Sequence, residues 1–189
     1  MAMSTPQPRN DGITPSAERV ACDAACAELD ALALLKAELD TLSQLLNQCE
    51  CAPSLALMKL RVDEICCAFR VHTQVAEELF YPGVMAASPV RWRLYRSGAD
   101  PTSARALVQQ LENAEPRSAS YDIKVTVLSR LIKQHIRHMQ VDVLPIARAS
   151  SLDMVSLGAR MAARKSALLH RSEQDPRAPA PTFCIQESS

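Results

Sequence analysis

Val62-Asp63-Glu64-Ile65-Cys66-Cys67-Ala68-Phe69-Arg70-Val71-His72-Thr73-Gln74-Val75-Ala76-Glu77-Glu78-Leu79-Phe80-Tyr81-Pro82 is the stretch on which the fold turns. Val62, Ile65, Phe69, His72, Ala76 and Leu79 recur with gaps of three and four, the spacing that puts residues on one face of an α-helix. The same gaps extend back through Leu55 and Met58, which predicts a helix from near Ser54 to Met85. His72 sits on the apolar stripe, so it is expected to point inward. Pro82, ten residues further on, is expected to close the helix.

The pattern occurs again. Val125, Leu128, Ile132, His135, Met139, Asp142 and Ile146 define a helix from about Tyr121 to Ala149, with His135 inward and Pro145 ten residues beyond it. A first helix, about Ser16 to Cys49, carries Leu32, Leu35, Leu39, Leu42, Leu46 and Cys49 on its stripe. A shorter one follows Asp100-Pro101 with Ala104, Leu107 and Leu111, ending before Pro116. Ser151-Leu152-Asp153 caps a last helix ending near His170. Its Arg160, Arg164, Lys165 and Arg171 suit a solvated face, placing it against the end of the fold or outside it. Four striped helices with short connections bury their stripes only against one another. The fold class is therefore all-α: an antiparallel up-and-down four-helix bundle with an additional C-terminal helix. Residues 16–170 form one domain, and the proline-broken polar stretches 1–15 and 171–189 are expected to be disordered tails.

Composition narrows the function classes. Only four glycines in 189 residues disfavour a sheet. The formal net charge is zero, so no whole-molecule field attracts nucleic acid or an anionic membrane. No apolar run reaches the roughly 20 residues that span a bilayer, and the N-terminus lacks the order of a signal peptide. A cytoplasmic location is expected, with neither a nucleic acid nor a membrane as partner. Seven cysteines, an odd number set mostly in helical segments, read as free thiols rather than a disulfide framework. Cys49 and Cys66 are expected within a turn or two of each other, and Cys22 and Cys26 one turn apart. They read as packing residues, with a thiol-based redox sensor as the alternative. Arg91-Trp92-Arg93-Leu94-Tyr95-Arg96 reads as an aromatic cover for one end of the fold, with wet arginines. No phosphate loop and no nucleophile-base arrangement is present, so no catalytic residue is assigned.

Several pieces in order carry a resemblance. They are Leu34-Leu35-Lys36-Ala37, Val71-His72 with Glu77-Glu78-Leu79-Phe80-Tyr81-Pro82, Tyr121-Asp122-Ile123-Lys124-Val125-Thr126-Val127-Leu128, His135 with Leu144-Pro145-Ile146-Ala147-Arg148, and Leu157-Gly158-Ala159-Arg160 with Ala163-Arg164-Lys165. Together they resemble a hemerythrin-like, HHE cation-binding domain over about Asp30 to Leu169. The resemblance implies a bundle that holds a pair of irons through five histidines and two bridging carboxylates. His72 and His135 match two of those positions. The others fall on Leu39, Ala76, Pro101, Arg105 and Gln140, none of which supplies a histidine or a carboxylate. Two neutral imidazoles can neither bridge two irons nor balance their charge, so a di-iron centre is not expected. No cofactor is expected on the first reading, that of a non-enzymatic interaction or sensory-regulatory module with an unknown protein partner or a second copy of itself. The alternative is one divalent ion, zinc or iron, on His72 and His135, with His138 or Glu77 as supplementary ligands.

Overall fold

The computed structural model describes residues 30–88, 101–118 and 120–174. Among the described residues every regular element is helical, and no helix is long and apolar enough to cross a membrane. The stretches Ser16 to Leu29 and Pro89 to Asp100, with the Arg91 to Arg96 motif, both predicted tails apart from Arg171 to Gln174, and Cys22 and Cys26 lie outside the described residues.

Helix α1 spans Ala31–Glu50 and starts later than the stripe suggested, because Asp30 is extended and caps it. The Asp30 carboxylate accepts from the Ala33 amide at 2.7 Å, satisfying one of the unpaired donors of a first turn. Pro53 follows the end of α1, and the Ser54 hydroxyl then caps α2, Leu55–Val75, by accepting from the Leu57 amide. With so short a link the two helices must pack side by side. α4, Pro101–Glu112, lies against α2 and α5, Tyr121–His138, and α5 returns to α1. Arg70 to Glu112 (2.6 Å) ties α2 to α4, and Lys133 to Glu50 (2.6 Å) ties α5 to α1.

Neither Pro82 nor Pro145 closes its helix. A π-helical turn, Ala76–Phe80, leads directly into α3, Tyr81–Ala87, and a second, Met139–Val143, into α6, Leu144–Arg148. The Tyr81 amide bonds back five residues to Ala76, and the Leu144 amide to Met139. A proline inside an α-helix collides with the carbonyl four residues behind it and lacks a donor. The wider turn relieves both problems, and the chain stays helical. It also advances the buried stripe by one residue. Phe80 is buried where Leu79 was expected, Val143 where Asp142 was expected and Ala147 where Ile146 was expected.

The last helix, α7, spans Met154–Gln174 and runs past the predicted end at His170. Asp153 caps it through the amides of Val155 and Ser156. It does not stand outside the fold. α7 packs along α1, α2 and the first π turn, burying Leu157, Met161 and Leu168. Arg164 and Lys165, read as solvated, are half-buried on that same seam. The interior is filled by Leu35, Leu39, Leu42, Phe69, Phe80, Leu111, Tyr121, Ile132, Met139 and Met161, each fully buried. At roughly 1.5–3 kcal/mol per large apolar side chain buried, these positions drive the packing.

Candidate functional site

His72 and His135 meet. Their Nε2 atoms stand 3.2 Å apart in a direct hydrogen bond between α2 and α5. Both residues are buried, at 2% and 4% exposure. Phe69 closes one side, its ring edge-on to His135 with centroids 5.5 Å apart.

Behind His72 stands a residue the stripe did not single out. Glu38 of α1 accepts from His72 Nδ1 at 2.8 Å, and its other oxygen lies 3.0 Å from Lys165 Nζ of α7. The predicted neighbour Leu39 is also fully buried, but as core packing. Burial alone would push Glu38 upward. The hydrogen bond from His72, followed by the Lys165 ammonium, outweighs it and holds the carboxyl below its ordinary range. A signal for Glu38 existed: it lies four residues from both Leu34 and Leu42, which places it on the inner face of α1.

The bonds assign the tautomers. With His72 Nδ1–H donated to Glu38 and Nε2 accepting, His135 Nε2–H is the donor. His135 Nδ1 is then a bare lone pair, and it has no hydrogen-bond partner among the described residues. His135 is pushed down to about 3, first by burial and then by the cationic groups around it. The result is a chain running from Lys165 through Glu38 and His72 to a neutral His135. It crosses the interior from α7 to α5.

The supplementary ligands have other roles. Glu77 is exposed and paired with Arg105, which also donates to the Thr73 hydroxyl at 3.5 Å. His138 Nδ1 is 3.0 Å from the Asp142 carboxylate on its own helix. Of the lost positions, Leu39, at 0% exposure, and Ala76, at 1%, fill the core. Gln140 is exposed and Pro101 opens α4. Among the described residues no cluster of three or more His, Cys, Asp or Glu side chains has metal-binding spacing. The described residues do not fit two irons, since the carboxylate beside the pair, Glu38, is on the His72 nitrogen that faces away from His135.

Cys49 and Cys66 are buried and free. Burial raises both, Cys66 to about 12, with nearby carboxylates adding to the effect. Thiolate is the reactive form, and little of it exists at neutral pH. The fully buried Tyr121 shares this surrounding, its hydroxyl without a partner among the described residues. A cleft of about 540 Å³ between α1, α2 and α5, floored by Leu46, Val62 and Ile65, shares no residue with the histidine chain.

Compared with protein-family models, curated proteins and solved structures, the chain finds no match.

Proposed function

We propose that this chain is a hemerythrin-like, up-and-down four-helix bundle with an added C-terminal helix, one that has lost the di-iron centre and works without enzymatic activity as an interaction or sensory-regulatory module. The observation that carries the reading is the His72–His135 hydrogen bond at 3.2 Å in a core where Leu39, Ala76 and Met139 are apolar and at most 1% exposed. The two imidazoles satisfy each other, and packing fills the space where bridging oxygens would have to stand. Glu38 is paired with His72 and Lys165, so its charge is already compensated. Metal analysis of protein purified in air and again after loading with ferrous iron tests the proposal. Metal well below one atom per chain is expected, with a featureless visible spectrum. Stoichiometric iron with an oxo-bridge absorption band would overturn it.

One distance favours a second reading, a single divalent ion. Two nitrogens bound to one ion by bonds of about 2.1 Å stand 3.2 Å apart when they subtend roughly 100°. A carboxylate on the far nitrogen, as Glu38 is to His72, is also the usual support for a ligating imidazole. Zinc titration separates the readings: one equivalent bound by the parent and none by His72→Ala would establish the single-ion form.

A further inference from the structure

The inner seam of α7 has four levels, at Leu157, Met161, the pair Arg164 and Lys165, and Leu168. Three are apolar. The third is charged, and each of its side chains meets a carboxylate, of the first π turn or of α1. Arg164 forks onto Glu78 at 2.6 and 3.0 Å, at the surface over the first π turn. Lys165 reaches inward to Glu38, which is 7% exposed and whose second oxygen holds His72. An apolar residue at that level would fasten α7 with no dependence on its surroundings, and buried ion pairs replaced by apolar groups are often no less stable. A lysine there makes the fastening depend on Glu38 keeping its charge and position.

We propose that α7 is a docked arm whose hold on the fold is set by the buried Glu38–His72–His135 chain, with Lys165 as the coupling residue. The proposal rests on the regulatory reading above and supplies its moving part. An event that moves His72 and draws Glu38 with it, away from α7, weakens the pair that Lys165 makes with that carboxylate. Arg164 and the apolar residues of the seam then hold the helix without it. The reverse also holds, because coupling between two sites is reciprocal: lifting α7 removes a positive charge from Glu38 and alters the bond to His72.

Hydrogen exchange of the full chain, read peptide by peptide, tests the coupling in a double-mutant cycle of Glu38→Gln and Lys165→Met. In the parent, Glu38→Gln is expected to speed exchange across 154–174 by about tenfold or more while α4 and α5 change far less. In the Lys165→Met background, where the level is already apolar, the same substitution should add no further loosening of α7. Unchanged exchange in α7, equal loosening of α4 and α5, or the same loosening in both backgrounds would each overturn the proposal. Should Glu38→Gln not fold, Lys165→Met alone decides the matter through the imidazole nitrogen resonances. His72, which Lys165 reaches only through Glu38, should shift; unmoved resonances would overturn the coupling. Bound iron would sink the metal-free reading without altering these outcomes, and uncoupled exchange would leave the metal result standing.

Discussion

The His72 and His135 segments are alike in sequence and differ in what stands behind the imidazole. Each histidine comes four residues ahead of a π turn and ten ahead of a proline. His72 has both nitrogens engaged, by Glu38 and by His135, and through Glu38 it connects to the charge of Lys165. His135 has one nitrogen engaged and one without a partner among the described residues, and burial first and then the cationic groups around it hold it neutral. Two similar sequences thus give a compensated polar group and an orphaned one. The difference comes from α1 and α7, which approach His72.

The sharpest way to break the comparison is at Glu38. Glu38→Ala should lower stability by about 3–5 kcal/mol in denaturant unfolding, since it strands Lys165 and removes a partner from His72. A loss below about 1 kcal/mol would mean that the carboxylate is not integral to the core.

Acid comes next, and it acts through His135. The unfolded chain protonates that imidazole near its ordinary 6.5, whereas the folded chain does so only near 3. Between those values the unfolded state holds one more proton, so stability present above pH 6.5 is lost as the pH falls. Up to about 1.4 kcal/mol should go per pH unit in this window. Glu38, held below 4.5, adds a further loss at the acid end, below the carboxylate range. Stability measured from pH 7 to 4 should show the slope in the parent and a shallower one in His135→Phe; parallel slopes would point to another group.

A smaller effect separates the two histidines directly. At pH 7, His135→Phe should cost about 1 kcal/mol or less, because it removes one unpaired buried nitrogen, His135 Nδ1, while leaving another, His72 Nε2. His72→Phe should cost roughly 2 kcal/mol more, by leaving Glu38 with Lys165 alone. Equal costs would erase the asymmetry. Smallest in stability terms is the thiol behaviour: at pH 8 buried Cys66 should label far more slowly than exposed Cys51 in a peptide-resolved alkylation time course.

The helices were legible because gaps of three and four persist through α1, α2 and α5, and both histidines fall on their stripes. The positions past each π turn were not. Counting on from His135 selects Asp142 and Ile146, whereas Val143 and Ala147 are buried, because the wide turn inserts one residue into the count. The partners of His72 were hidden for another reason. A single stripe describes a helix with one packed side, but α1 meets α2, α5 and α7, so its inner face is wide enough to include Glu38 beside Leu39. Arg164 and Lys165 looked like solvent charges for lack of a view of the carboxylates opposite. A charged residue flanked at helical spacing by apolar ones, as Lys165 is by Met161 and Leu168, is the pattern that exposes such a partner.

The reach of Lys165 back to Glu38 also sets an order on synthesis. Glu38 leaves the ribosome before Lys165, by on the order of ten seconds at roughly 5–20 residues per second. Throughout that interval α1 and α2 can pair, yet the carboxylate in their interior lacks the Lys165 ammonium. The nascent hairpin therefore carries a reason to stay loose until the last helix arrives.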